Sequence, residues 1–230
     1  MLIDCQGRSA QEINRALRES LAAGEREVTL LHPGARHNLA VGLLQPCRIR
    51  IAGSAGYYAA GLCDGPEVEI EGSAGWGVAE NLMSGRVVVR GNAGNSAAAT
   101  MRGGLVAVAG HAGARAGIAM KGGTLVIGGD TGYMTGFMMQ KGTLVIGGNA
   151  GDALGDSLYE GRIFIAGEIA SLGNDAQIAS MEPDDRAFLA DLAAMIPLAL
   201  PDPDAYRKVA SARGLYHFDR RDFARWREAL

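Results

Sequence analysis

Along most of the chain, hydrophobic residues come in pairs two apart, and the pairs return every 19 residues. One column reads Ile49, Val68, Val87, Val106, Leu125, Leu144, Ile163; the other reads Ile51, Ile70, Val89, Val108, Ile127, Ile146, Ile165. Side chains two apart lie on one face of a strand, so each unit holds a short strand with one apolar face. The residues between the pair are mixed, from Arg50 and Glu69 to Val126 and Phe164. A third column, Leu44, Cys63, Leu82, Met101, Met120, Met139, Leu158, keeps the same interval. One such unit cannot bury its face alone. Stacked copies can, because each coil sets its Ile or Val over that of the coil below.

Glycine follows the same period. Gly53, Gly72, Gly91, Gly110, Gly129, Gly148 and Gly167 are spaced by 19, with Gly56 to Gly151 three residues later and a further column from Gly85 to Gly161. A coil that returns above its own start needs sharp corners, and corners with φ > 0 favour glycine. The Gly53–Gly167 column is therefore expected to mark structural turns. The small column Ala60, Ala79, Ala98, Gly117, Gly136, Gly155 marks a second tight place. Together these predict an all-β fold, a parallel β-helix with 19 residues per coil and seven regular coils. Right-handed coiling is expected from the general preference of parallel crossovers. Hexapeptide helices do not fit a period of 19, and the several leucines and asparagine of a leucine-rich repeat are missing.

A solenoid leaves strand edges at both ends, and the sequence supplies caps. "SAQEINRALRESLAAGE" has Ser9 and Glu12 at capping-box spacing, apolar Ile13, Leu17 and Leu21, and Gly24 after the last turn. The next strand puts Leu30 in the first hydrophobic column and His32 in the second, which makes the first coil degenerate. "PDDRAFLADLAAMIP" predicts a helix begun at Pro183, and "DAYRKVASAR" and "RRDFARWREAL" predict two more. The expected organisation is an N-terminal α/β cap over 1–33, the β-helix over 34–180 and a helical tail over 181–230.

Composition narrows the function. Net charge is −3, which offers no general attraction to nucleic acid or to an anionic membrane. From Arg207 onward, however, 7 basic residues stand against 3 acidic ones, which suggests an arm docking on an acidic surface. No basic stretch followed by an apolar run opens the chain, and no run of 18 apolar residues occurs. Cys5, Cys47 and Cys63 have no C-x-x-C spacing and are odd in number, which fits free thiols in a reducing compartment. The expected location is cytoplasmic.

Candidate chemistry is sparse. "GGNAGDALG" has phosphate-loop-like glycine spacing, but the same glycines recur in every coil and no helix-opening context follows. His32 and His37 lie beside the first coil, and no two histidines share a helical face as a metal site would need. His111, Asp130, Asn149 and Glu168 share one turn column, a polar ladder that a polymer-acting enzyme could use as a groove. Cys63 falls in an inward column and Cys47 at a corner, neither near an activating base in sequence. No catalytic, cofactor-binding or metal-ligating residue is expected. The better hint is apolar: Tyr57 and Tyr58 stand at one turn, and Tyr133, Met134 and Phe137 at the equivalent turn four coils on. Aromatics and methionines outside the inward columns suggest a partner interface.

The G-x-x-G frame resembles the GXGXG β-helix at the C-terminus of glutamate synthase large subunits, also found in a subunit of formylmethanofuran dehydrogenase. The stretches "GYYAAGLCDG", "GVAENLMSG", "GDALGDSLYEGRIF", "SLGND" and "SARGLYHF" bring it closer to the β-helix subunit of the N-methylglutamate synthase family. That resemblance implies a non-catalytic subunit of a multi-subunit enzyme making N-methylglutamate from glutamate and methylamine. It also implies two partners, a glutamine-amidotransferase-like subunit and an FMN-binding synthase subunit, with FMN and an iron–sulfur cluster on a partner and no cofactor on this chain. An ammonia-using glutamate synthase, a formylmethanofuran-dehydrogenase-like complex and a free-standing polymer-acting β-helix remain alternatives.

Overall fold

The computed structural model describes residues 1–212. The elements are β1 (Leu2–Asp4), α1 (Ala10–Ala22), β2 (Glu27–Leu31), β3 (Arg48–Ala52), β4 (Asp64–Ile70), β5 (Ser84–Val89), β6 (Leu105–Val108), β7 (Lys121–Ile127), β8 (Lys141–Ile146), β9 (Arg162–Ile165), β10 (Ala176–Ala179), α2 (Pro183–Met195) and β11 (Arg207–Ser211). The 11 strands form one sheet in the order β1 to β9, then β11, then β10. From β1 to β9 every pairing is parallel. The fold is an all-β parallel β-helix with helices at its ends. A second line of contact runs through single bridges from Ala55, Ala74, Ala93 and Ala112 to Thr131, Ala150 and Ile169.

The two predicted Ile/Val columns stack as expected: Val87 pairs with Val106, Val106 with Leu125, and Val89 with Val108. Ile51, Ile70, Val89, Val108, Ile127, Ile146 and Ile165 have no exposed surface. Full burial of each such side chain contributes about 1.5–3 kcal/mol, so the columns supply most of the driving force for stacking. Cys63, Leu82, Met101, Met120 and Met139 close the core from the opposite corner.

The first coil departs from the period. Val28 pairs with Ile49 and Leu30 with Ile51, a step of 21 rather than 19. Leu30 therefore occupies the second column, not the first, and His32 lies outside the core on Asp4, 3.0 Å away. At the opposite corner the shift is one residue, which places Leu43 inside and leaves Leu44 largely exposed, so Leu44 does not belong to the Leu/Met column. Helix α1 is capped as the sequence indicates. The Ser9 side chain accepts from the Glu12 amide, Glu12 returns the contact, and Ile13, Leu17 and Leu21 cover the core.

The C-terminal segment doubles back over the outside of the sheet. Residues between the inward pairs are mixed because that outer face is divided. Val88, Ala107, Val126, Val145 and Phe164 pack under Leu189, Leu192, Ile196 and Tyr206, while the coils nearer the N-terminus carry charge instead. The helix expected at "DAYRKVASAR" is a short 3-10 turn followed by strand β11. The open edges of β9 and β10 decide this: between them Val209 is buried opposite Ile163, while Arg207 and Lys208 reach Gly167 and Asp185. Strand β11 runs antiparallel between β9 and β10, so the basic stretch from Arg207 begins as part of the rod's closure and not as a detachable arm. The predicted helix "RRDFARWREAL" and the rest of that arm lie outside the described residues.

Asp185, in the first turn of α2, fastens this arrangement. Its carboxylate is almost fully buried and accepts from Lys208 Nζ at 2.7 Å, Arg162 Nη1 at 3.1 Å and the Glu182 amide at 3.0 Å. Burial alone would raise its pKa. The Lys208 hydrogen bond, the Glu182 amide and the charges of Lys208 and Arg162 outweigh burial and hold it below the usual value.

Candidate functional site

The polar turn column is a hydrogen-bond ladder. Ser54 Oγ accepts from the Ser73 amide, Ser73 Oγ from Asn92, Asn92 Oδ1 from His111, His111 Nδ1 from Asp130, Asp130 Oδ1 from Asn149, and Asn149 Oδ1 from Glu168. Each side chain thus satisfies a backbone N–H one coil above it. Seryl, amide, imidazole and carboxylate groups all fit because the position asks only for an acceptor. In His111 this assigns the acceptor role to Nδ1. Asp130 Oδ1 and Asn149 Oδ1 thus have a structural role in the ladder.

The ladder also explains the Gly72–Gly167 column, and the reason differs from the expected one. None of these glycines from Gly72 onward has a positive φ; only Gly53 does, at 142°. Each lies directly against a rung: a Cβ on Gly129 would sit 2.7 Å from His111 Nδ1, and one on Gly110 would collide with the Asn92 amide oxygen. These glycines leave room for the coil below rather than turn the chain.

The turning is done elsewhere. The further glycine column does turn the chain, with left-handed φ of 98°, 78°, 76° and 107° at Gly85, Gly104, Gly123 and Gly142, and three more left-handed positions per coil are filled largely by other residues. Counting regular coils from β3, these are Tyr58, Ala60 and Leu62 in the first (φ 59°, 55° and 57°) and Met134, Gly136 and Met138 in the fifth (57°, 73° and 52°). The reason is pairing: Tyr58 and Leu62 donate to Trp76 and Glu80 carbonyls above, and Ala60 donates to Leu39 below. The corner keeps its inter-coil bonds at a cost of about 1–2 kcal/mol for each non-glycine left-handed residue.

This corner forms an outward ledge that carries the predicted interface residues. Tyr57, Tyr58 and Tyr133 are exposed, and Met134 and Phe137 are half-buried. The structure puts Tyr57 and Tyr133 in one column and Tyr58 and Met134 in the next, with the two groups four coils apart. Met138, legible in the sequence beside Phe137, is exposed on the same ledge, as are Leu62 and Trp76, which sequence reasoning misses. Adding the period to Tyr57 would have found Trp76. His37, Tyr57 and Trp76 stack, with ring centroids 4.4 and 5.3 Å apart, and the Tyr57 amide donates to His37 Nδ1 at 2.8 Å. His37 thereby serves as a rung of the stack through Nδ1.

On the outer face of the sheet lies an open cleft of about 620 Å³, bounded by Met195, Ile196 and Pro197. Its charges form a mosaic: Arg48 joins Glu27 and Glu67, Arg50 joins Glu71, and Arg90 joins Glu69. Arg86 and Arg90 donate to the Met195 and Pro197 carbonyls. Helix α2 has no basic residue in its last turn, so these two guanidiniums supply the positive charge its C-terminus favours. The cleft reads as the anchorage of the crossing segment.

All three cysteines are buried, and burial pushes their thiols above the usual range, which disfavours the thiolate a nucleophile needs. The Tyr206 hydroxyl, buried without a partner among the described residues, is pushed up to about 12 by burial. Among the described residues no three His, Cys, Asp or Glu side chains converge as a metal site would require, and no helix is long and apolar enough to cross a membrane.

A 19-residue period, glycines packed against every rung and one continuous parallel ladder define the architecture that comparison then identifies. The GXGXG motif matches residues 33–196, most of the chain. The chain belongs to the GXGXG motif family. The matched span starts at the first coil and ends with the segment that crosses over the sheet, so the GXGXG domain comprises the rod and its strap. A glutamate-synthase-related domain is the reading this supports. No curated protein sequence matches the chain.

Proposed function

We propose that this GXGXG protein is the non-catalytic β-helix subunit of an FMN-dependent, glutamate-synthase-type enzyme, with N-methylglutamate synthase the favoured member. The observation that carries the proposal is the ledge: a rigid corner that places Tyr57, Tyr58, Trp76 and Tyr133 in solvent on one side of a GXGXG rod. Exposed aromatic clusters of this kind are the composition of a binding surface rather than of a solvated one. A rod whose backbone is paired at every coil holds two partners at a fixed separation. An amidotransferase-like subunit and a flavin subunit need such spacing if amine released on one is to reach the other without escaping to water. FMN and the iron–sulfur cluster belong to the flavin subunit, and the complex works in the cytoplasm. The ladder weighs against a polymer-acting groove, because Asp130 and Asn149 accept backbone hydrogen bonds.

Co-expression with an amidotransferase-like and an FMN-binding synthase subunit tests this. The expected result is a three-part complex whose flavin and cluster absorbance disappears when this chain is purified alone. Turnover of methylamine over ammonia by the complex selects N-methylglutamate synthase within the class. A flavin spectrum on the isolated chain, or failure to co-elute with either subunit, would overturn the proposal.

A further inference from the structure

The ledge is not uniformly apolar, and its relief has a shape. Large side chains rise from the first two coils (Tyr57, Tyr58, Leu62, Trp76) and again from the fifth (Tyr133, Met138). Between them the third and fourth coils carry Asn95, Ser96, Thr100, Ala114 and Ala119, all half-buried, and the exposed Arg115. Trp76 and Tyr133 occupy the same column three coil steps apart. At about 4.8 Å per step that is roughly 14 Å between rungs. Subtracting one ring thickness of about 3.5 Å leaves a notch about 11 Å wide. The Tyr57 ring covers one face of the Trp76 indole, and the next rung beyond the other is Asn95.

Local conformation does not account for the large side chains that flank the two walls. Tyr58, Leu62, Met134 and Met138 hold left-handed φ values of 52–59°, where a non-glycine residue is strained. The second coil fills the equivalent places with Gly77 and Asn81, the residues that conformation favours. Large apolar groups are thus kept at strained positions while Tyr58, Leu62 and Met138 stay exposed, a combination that points to contact with another molecule.

We propose that the notch seats an α-helix of one partner subunit, lying across the rod axis between Trp76 and Tyr133. An α-helix with its side chains is about 10–12 Å across, which fills the notch, whereas one extended strand about 4.8 Å wide would leave half of it open. The floor is made of small side chains whose polar groups are partly occupied. Asn95 Oδ1 already accepts from the Ala114 amide at 2.9 Å, and the Thr100 hydroxyl donates to Asn81 Oδ1 at 2.7 Å. The helix face that meets it is therefore small, with polar groups only opposite the Asn95 amide nitrogen and the Ser96 hydroxyl. Among the described residues Arg115 is the only cation on this ledge between the first and fifth coils, and its guanidinium has no hydrogen-bond or ion-pair partner there. The seated helix accordingly carries an Asp or Glu opposite Arg115.

This inference rests on the scaffold reading, and its test separates the two. Ala114→Tyr plugs the notch at a column where the fold already carries Tyr57, Trp76 and Tyr133, so the melting temperature should stay near wild type. Asp152→Tyr adds an aromatic to the same column outside the notch. Each variant is titrated against the co-expressed amidotransferase-like and FMN-binding subunits. Ala114→Tyr is expected to weaken binding of one subunit by about 30-fold or more, and Asp152→Tyr to leave it unchanged. Arg115→Glu, a surface change that tests the charge without filling space, should weaken the same subunit by about 10-fold and flatten its salt dependence. Cross-linking from Asn95→Cys should reach an acidic helical segment of that subunit. If Ala114→Tyr proves unstable, Arg115→Glu and the cross-link decide. A complex as tight as wild type in Ala114→Tyr and Arg115→Glu would overturn the notch while leaving the scaffold role intact. No complex with either subunit would overturn both.

Discussion

Gly110→Ala tests whether the glycine column exists to make room for the coil below. The backbone at Gly110 is not left-handed, so alanine meets no conformational penalty there. Space is the obstacle: its Cβ would strike the Asn92 amide oxygen and come within 3.1 Å of the Gly91 carbonyl oxygen. Asn92 must swing away and release the His111 amide, which it holds at 2.9 Å. That loss, on a solvated edge, costs about 1 kcal/mol. Crowding against the fixed Gly91 carbonyl adds about 1 kcal/mol, and the stiffer unfolded chain returns about 0.5 kcal/mol. Gly110→Ala should therefore destabilise by about 1.5–2 kcal/mol, and Asn92→Ala by about 1 kcal/mol. Because both changes lose the same rung, the double variant should cost about 1.5–2 kcal/mol rather than about 3, a coupling near 1 kcal/mol. At this chain length 1 kcal/mol corresponds to about 2–4 °C in Tm. Urea and thermal unfolding followed by circular dichroism and by Trp fluorescence would measure the cycle. Agreement of the two probes guards against coil-by-coil melting. Additive costs, or a Gly110→Ala protein as stable as wild type, would refute the reasoning.

Two further outcomes follow from the core and the latch. Ile127→Asp places a carboxylate among fully buried side chains and should cost several kcal/mol; a soluble Ile127→Asp protein with normal melting would refute the column assignment. Asp185→Asn leaves Lys208 and Arg162 without their shared counter-charge and should cost about 3 kcal/mol. The pKa of Asp185 is lowered in the fold, so its contribution is fully present above the unfolded carboxyl value and is lost as pH falls through the folded one. Acid titration of stability should show wild type losing its advantage over Asp185→Asn only in that acidic window, and a constant difference down to pH 2 would refute the latch.

The repeat is legible in the sequence because stacking forces identical chemistry at identical places. Ile127 sits over Val108 and under Ile146, and no other period makes that so. Its slips are illegible for the complementary reason. The cap strand joins at a step of 21, and nothing in "EVTLLHPG" says whether Leu30 or His32 takes the second column until Ile51 is beside it. Strand β11 escapes sequence reasoning because "DAYRKVASAR" has helical composition, while its conformation is set by the open edges of β9 and β10. The glycines are visible but their cause is not: the sequence records that Gly129 lacks a side chain, and only the coil below shows that His111 occupies the space. Of the ledge, Tyr57 and Tyr133 are legible as exposed aromatics. The notch between them is not, because it is made of residues unremarkable in themselves.

Through the middle of the rod each Ile/Val column advances by one fixed step, with like residues above and below. The upper edge of one coil is thus chemically interchangeable with that of the next. A lineage could duplicate or delete one 19-residue unit without disturbing the cap or the antiparallel closure. The molecule behaves as a ruler graduated in integers of about 4.8 Å. Whatever its two ends hold apart can be moved closer or farther by whole rungs, and never by a fraction of one.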